Sequence, residues 1–326
     1  MPDPIRLATR KSPLALKQAE MVRDALLAQH PTLEPDQVTL LPLTSTGDQI
    51  QDRTLQEAGG KGLFTKEIEE AVIEGRAELA VHSMKDMPPV SPPGLVIDCF
   101  LPREDPRDAL ISLAYPSFEL LPEGAVIGTA SVRRQALIKR LRPDVLVVPF
   151  RGNVQTRLAK LAAGEVDATF LAVAGLTRLG ATEHITTIME IDAMLPAVGQ
   201  GIIGIQRRDD DDRMANYLAP INCPDAHCHI TAERAMLAVL DGSCRTPIAG
   251  YATDATQQTG DARVSAGAAA NAPSKDTLYL RGSVTHPNGQ FHQADGITGP
   301  RDQAATLGQR LGEALREHLP KTQTPD

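Results

Sequence analysis

The stretch 125–173, AVIGTASVRRQALIKRLRPDVLVVPFRGNVQTRLAKLAAGEVDATFLAV, decides the fold class. Residues 125–128 form a short apolar run, and 132–141 then carry helical spacing. Residues 145–149 read as a second strand, 154–163 as a second helix and 168–173 as a third strand. Strands alternating with helices of about ten residues predict a parallel sheet with crossover helices. Charge gathers in the same stretch. Between Val126 and Gly164 stand Arg133, Arg134, Lys139, Arg140, Arg142, Arg151, Arg157 and Lys160 against one acid, Asp144, a local balance of +7 in a chain of net charge -8. Gly128-Thr129-Ala130-Ser131 lies where strand turns into helix. Backbone N–H groups, two hydroxyls and the positive end of a helix dipole there make a ready anion site. Arg133 and Arg134 oppose that dipole from the first turn, so an anionic ligand accounts for them better than helix stability does. Arg151-Gly152-Asn153 repeats the arrangement after the next strand. Arginine suits bidentate recognition of carboxylate or phosphate, and the residues leave those two undecided. A solvated helix surface is the plain alternative.

Working outward, the N-terminal hundred residues repeat the alternation. Residues 5–8 read as a strand, and Ser12-Pro13 as an N-cap with the first helical residue. Leu14, Met21, Val22 and Ala25 mark one helical face. Strands follow at 38–43, 78–82 and 96–101, with a short helix at 65–73 closed by Gly75. Pro88, Pro89, Pro92 and Pro93 place 84–94 in a loop. Two such blocks imply two similar α/β lobes with a cleft between them.

Beyond Gly204 the pattern changes. Residues 207–213, RRDDDDR, read as a solvated turn, 232–240 as a helix, and 252–275 as a long loop without periodicity. Residues 278–285 and 290–294 flank a His-Pro-Asn-Gly turn and predict a hairpin. A closing helix spans 303–318. This is a smaller α+β third domain.

The 326 residues exceed one ordinary domain, and 42% hydrophobic against 23% charged content is enough for a proper core. With 33 Lys+Arg against 41 Asp+Glu, 3% aromatics and no Trp, nucleic acid and anionic membranes are not expected partners. No apolar run approaches the roughly 18 residues of a membrane span. The first residues lack the apolar core of a signal peptide, so a soluble, cytoplasmic protein with reduced thiols is expected.

Several residues outside the basic stretch carry chemistry. In 81–88, VHSMKDMP, a strand gives way to a loop, and ligands of open α/β sheets bind off the carboxyl ends of strands. Lys85 and Asp86 therefore stand where a ligand would be. Asp86 suits proton transfer or stabilisation of a developing cation; an ordinary capping Asp is the bland reading. His82 reads as a structural histidine. The glycine-rich run 59–64, GGKGLF, lacks P-loop spacing and reads as a flap over the cleft. Cys223, His227, Cys228 and His229 lack a second ligand pair, so this segment reads as an interdomain linker and no metal is expected. Cys244 stands in DGSCRTP, where Arg245 and a glycine turn favour thiolate; an unremarkable loop cysteine is the alternative.

Together these segments resemble the porphobilinogen deaminase family. The resemblance runs from Ile5 to the C-terminal helix, through RLATRKSPLAL at 6–16, GGKGLFTKE at 59–67, AVHSMKDMP at 80–88 and REDPRDA at 103–109. It continues with GTASVRRQ at 128–135, RGNVQTRL at 151–158, LAVAGLTRLG at 171–180, LPAVGQG at 195–201 and TAERAML at 231–237. The resemblance implies a transferase that joins four porphobilinogen molecules head to tail into hydroxymethylbilane, releasing ammonia, in tetrapyrrole (haem-type) biosynthesis. It implies a dipyrromethane cofactor held by a thioether to Cys244. It makes the cleft anion a carboxylate, with Asp86 catalytic. Ser83, Lys85, Asp86, Thr129, Ser131, Arg133, Arg134 and Arg151 are then expected at the cofactor, and Arg10, Ser12, Arg151, Arg157, Arg178 and Gln200 at the substrate. Lys61 and Phe64 belong to the flexible loop. Three positions depart from the pattern: Glu57 replaces a lysine common in relatives, the cysteine loop differs around Cys244, and 252–275 is longer.

The implied fold is two similar periplasmic-binding-protein-like α/β lobes around a cleft plus a smaller α+β domain. Expected boundaries are 1–102 with 197–220 for the first lobe, 103–196 for the second, and 221–326 for the third domain. Hinges are expected near 103–107 and 196–201, and a monomer is expected. A non-enzymatic two-lobed binding protein for a small carboxylate explains the lobes and arginines, but gives no reason for Asp86 beside Lys85 with a loop cysteine.

Overall fold

In the computed structural model, residues 4–49, 62, 64–240, 247–257 and 276–319 are described. The chain begins with β1 (Ile5–Arg10), α1 (Pro13–Gln29), β2 (Val38–Leu43), α2 (Thr46–Gln49), α3 (Lys66–Ile73), β3 (Leu79–Ser83) and β4 (Leu95–Phe100). It crosses to β5 (Asp108–Ile111), β6 (Val126–Gly128), α4 (Val132–Leu141), β7 (Leu146–Val148), α5 (Val154–Ala162), β8 (Ala168–Ala172), α6 (Val173–Arg178) and β9 (Thr187–Ile188). It returns through β10 (Ile203–Arg208) and α7 (Asp212–Leu218), then ends in α8 (Pro224–Val239), β11 (Ile248–Asp254), β12 (Thr277–Thr285), β13 (His292–Pro300) and α9 (Ala304–Arg316).

Two five-stranded sheets share one plan. The first has the order β2-β1-β3-β10-β4 and the second β7-β6-β8-β5-β9. Both are mixed, not wholly parallel. β10 runs antiparallel to β3 and β4, and β5 antiparallel to β8. Each antiparallel strand enters its sheet from a segment that has just crossed between the lobes. Among the segments sequence periodicity passed over, β5, β9, α6 and β10 stand out. β10 absorbs Arg207 and Arg208 of the acidic-basic run, which is therefore no solvated turn. Arg207 is buried and donates to Asp98 Oδ2 at 2.5 Å, while Asp211 caps α7 by accepting from Met214 N.

The first lobe's core gathers Ile5, Leu7, Val22, Leu26, Leu79, Val81, Ile203 and Ile205. Each such side chain, fully buried, contributes about 1.5–3 kcal/mol. The buried face of α1 is Ala15, Gln18, Ala19, Val22 and Leu26; Leu14, Met21 and Ala25 flank it half-buried. The larger apolar residues misplaced that face by part of a turn. Small Ala15 and Ala19 let the helix lie close on the sheet.

In the third domain α8 and α9 pack together on one face of the sheet β11-β12-β13. Close approach depends on Gly308 and Gly312, where a Cβ would run into the α8 backbone. Helix α8 starts at Pro224, so 223–229 is helix and not a linker, and Ala252–Asp254 belong to β11 and not to a loop. The hairpin extends to nine residues on each strand, with Thr285 opposite His292.

Two chain segments join the lobes, and they touch. Glu104 N donates to Gly201 O and Leu101 N to Ile203 O, both at 3.1 Å. Gly201 has φ +90°, and a Cβ there would strike the Glu104 carbonyl. The third domain is fastened at this crossing. Buried Glu233 of α8 accepts from Arg103 Nη1 at 2.5 Å, Gly199 N at 2.7 Å and Ala252 N at 2.8 Å.

Candidate active site

The strand ends of both lobes deliver polar residues to one cleft. In the first lobe, Arg10 ends β1 and its guanidinium lies over the Phe64 ring at 4.3 Å. Ser12 caps α1, its side chain accepting from Ala15 N at 3.3 Å, with Pro13 at the first helical position. Ser83 ends β3 and donates to Gln18 Oε1 at 2.9 Å. A single 3-10 turn, Met84–Asp86, follows. Met84 is buried, anchored by its N–H to Ile202 O, so the next two side chains are turned outward. Lys85 and Asp86 are exposed, and among the described residues neither makes a hydrogen bond or ion pair. Arg10, Gln18, Phe64, Ser83 and Asp86 line one recess.

In the second lobe, Thr129 follows β6, buried, and its hydroxyl accepts from Ser131 N at 3.2 Å. Ser131 caps α4 by accepting from Arg134 N. Arg133 and Arg134 are both 5% exposed and converge on one carboxylate, Asp108 at the start of β5. Arg133 Nη2 donates to Asp108 Oδ2 at 2.7 Å, and Arg134 Nη2 to Oδ1 at 2.7 Å. Gln200 Nε2 adds a third donor to Oδ1 at 3.0 Å. Burial alone would raise the Asp108 pKa, but the two guanidiniums overcome it and hold the carboxyl far below its usual range. The anion facing these arginines is thus first of all the protein's own. Two cations against one anion still leave the pair with a positive surplus.

Arg151 and Asn153 stand in the turn before α5, where Asn153 accepts from Thr156 N, and Arg157 Nε donates to Gly152 O at 2.9 Å. Burial lowers the Arg157 pKa to about 10, and Arg134 adds repulsion that Asp86 opposes. Lys85 is drawn down to about 8, first by the loss of surrounding water; Asp86 and Asp108 resist, Arg134 and Arg133 assist. These cross-influences bring Lys85 and Asp86 of one lobe together with Arg133, Arg134, Arg151 and Arg157 of the other. Arg178 stands apart. It donates to Gly201 O at 2.6 Å, at the lobe crossing, and burial lowers it to about 10. Cys244 and Lys61 lie outside the described residues.

Sequence reasoning passed over two contributors. Asp108 lies inside REDPRDA, and its signal was a lone acid at the start of an apolar strand. Gln18 is 3% exposed, a polar residue on the buried face of α1. His82 is the structural histidine its setting suggested: buried, bonded to Gln206 Oε1 at 2.9 Å, and pulled by burial to about 4, hence neutral. His227 packs edge-on to Phe100 and bonds Asn222, while His229 faces Asp254. Among the described residues no group of three or more His, Cys, Asp or Glu side chains is placed to hold a metal ion, and no helix is long and apolar enough to cross a membrane.

Two α/β lobes that converge cations from both sides on an exposed, unpaired carboxylate define a two-lobed protein built to close on a small acidic ligand. A family model described as porphobilinogen deaminase, dipyromethane cofactor binding domain, matches residues 5–216, and the porphobilinogen deaminase C-terminal domain matches 227–317. The chain belongs to the porphobilinogen deaminase family. A curated porphobilinogen deaminase of Paracoccus denitrificans (strain Pd 1222) is 49% identical over 98% of this chain and 97% of its own. Among solved structures, the Salmonella typhimurium periplasmic binding protein of high arginine specificity is 12% identical, covers 68% of this chain and 92% of its own, and has a TM-score of 0.40. The periplasmic aliphatic sulphonate binding protein of Escherichia coli is 12% identical over 73% and 70%, with a TM-score of 0.39. Likeness that faint carries no weight, and the fold stands on its own strand order.

Proposed function

We propose that this chain is a transferase that condenses four porphobilinogen molecules head to tail into hydroxymethylbilane, releasing ammonia, in tetrapyrrole biosynthesis. Family membership supports the reaction. The observation that carries the assignment of residues is Asp86: exposed, unpaired among the described residues, and ringed by cations of both lobes.

The cleft's unclaimed donors fit a dipyrromethane, whose acetate and propionate groups are acceptors. Arg133 Nε is buried without a partner, Arg178 Nε likewise at the lobe crossing, and the Lys85 ammonium has none. When bound, that cofactor supplies the free pyrrole carbon to which the first substrate is joined. In this reading Cys244 holds it by a thioether, and Ser83, Lys85, Thr129, Ser131, Arg133, Arg134 and Arg151 hold its carboxylates. Arg10, Ser12, Arg151, Arg157, Arg178 and Gln200 serve substrate carboxylates. The Asp86 carboxylate orients the substrate's aminomethyl ammonium, stabilises the cation left when ammonia departs, and accepts the proton released from the ring carbon after bond formation. Closure of the lobes keeps water from that cation. Lys61 and Phe64 belong to a flap over the site.

Lobe boundaries at 1–102 with 197–220 and at 103–196, with a third domain from 221, agree with the sheet in which each strand lies. A cytoplasmic monomer without nucleic-acid partners completes the proposal. A simple carboxylate-binding protein would need no unpaired acid amid its cations. Asp86→Asn tests the assignment. The variant should keep its covalently added mass while turnover falls by at least about a hundredfold, the range of acid–base catalysis; turnover within a few-fold of the parent sinks the role.

A further inference from the structure

The outward face of the third-domain sheet packs on the second lobe, and the contact is incomplete. A crevice of ≈ 320 Å³, partly open to solvent, lies between the end of α4, the 192–195 turn and strands β12 and β13. Its charged and titratable groups are Arg140, Asp192, Arg281, His292 and Asp295. Most already have partners. Arg281 pairs with Asp192, Asp295 accepts from Gly296 N, and His292 Nδ1 bonds the Thr285 hydroxyl at 2.8 Å.

What is left over is of one kind. Ser283 is 1% exposed, lines the crevice, and its hydroxyl has no hydrogen-bond partner. A buried hydroxyl without a partner is costly, and a ligand that accepts from it removes the cost. The Arg140 guanidinium makes no hydrogen bond or ion pair among the described residues. The second ring nitrogen of His292 is likewise unclaimed there. All three are donors, or become donors on protonation, and they converge from two domains.

We propose that this crevice is a second binding site, for a small anion bearing a carboxylate or phosphate group, held by Arg140, Ser283 and His292. Such a ligand bridges the second lobe and the third domain, and so resists their relative movement. The site is separate from the cleft of Asp86 and does not depend on the reading given to that cleft. In its absence His292 sits near a pKa of about 4, lowered by burial and then by Arg140. An anion between them favours the protonated ring and raises it.

The test is the His292 titration followed by NMR in the intact protein, its resonance assigned by loss in His292→Gln. Inorganic phosphate and acetate are added in separate arms, which distinguish the two ligand classes. The expected result is an upward shift of at least one pH unit with one of the two. Arg140→Gln, which leaves turnover in anion-free buffer unchanged, should weaken that binding about tenfold or more, as loss of a charge-assisted bond does. No shift with either anion, or the same shift in Arg140→Gln, overturns the proposal.

Discussion

Replacing Asp108 by Asn changes almost no volume and removes one charge, so it isolates what the carboxylate does. In the parent, both oxygens are engaged by Arg133 and Arg134 at 2.7 Å, with Gln200 as a third donor. The carboxylate is fully buried and the guanidiniums nearly so. An amide keeps one acceptor and turns an N–H₂ group toward a guanidinium, leaving two buried cations without a counter-charge. Removing one partner of a buried pair costs about 3–5 kcal/mol, against a typical total of about 5–15 kcal/mol. Urea unfolding should therefore lose a third or more of the free energy, with a falling midpoint at nearly constant slope. The sign with pH follows from the depressed pKa. The contribution is complete above the unfolded value of about 3.9, and is lost only as pH falls through the lower folded value. A loss below about 1 kcal/mol at neutral pH would refute the claim that Asp108 is the counter-ion organising these arginines.

Two further substitutions address the cleft and the hinge. Lys85 near pH 8 predicts that affinity for acidic ligands is flat below that pH and falls as pH rises through it, because binding must then take up a proton. Lys85→Arg should carry the fall to higher pH, as ligand titrations at pH 7 and 9 would record; an unchanged profile contradicts a role for the ammonium. Gly201→Ala forces a positive φ on a side chain and drives its Cβ at the Glu104 carbonyl, so a loss of about 1–3 kcal/mol is expected in thermal unfolding. Parent-like stability would mean that the two crossing segments are not held as tightly as their hydrogen bonds indicate.

How far the sequence could be read depended on the physical signal each element carries. Helix α4 was legible to the residue, because Ser131 announces its cap and its apolar residues keep helical spacing. The strands β5 and β10 were not, since their pairing comes from chain segments far away and leaves no local period. The same cause hid Asp108. A lone acid in REDPRDA looks like its neighbours until β5 is laid beside β8 and under α4. Arg133 and Arg134 were legible as cations needing an anion, but whether the anion is ligand or protein depends on tertiary contacts. Gln18 shows the converse: large apolar residues drew the face of α1 toward Leu14, whereas burial followed the small residues that let helix and sheet approach. Lys85 and Asp86 were legible because a strand ending in polar residues before prolines has few places to be except a sheet's edge.

The central claim is that this chain carries a cofactor built from its own substrate. Intact mass of the purified protein, measured beside Cys244→Ser, tests it most directly. The account predicts an excess equal to two condensed porphobilinogen units in the parent, or its appearance when porphobilinogen is added to apoprotein, and no excess in the variant. A parent mass that stays at the bare polypeptide value after porphobilinogen is added, or an excess that survives in Cys244→Ser, would contradict it.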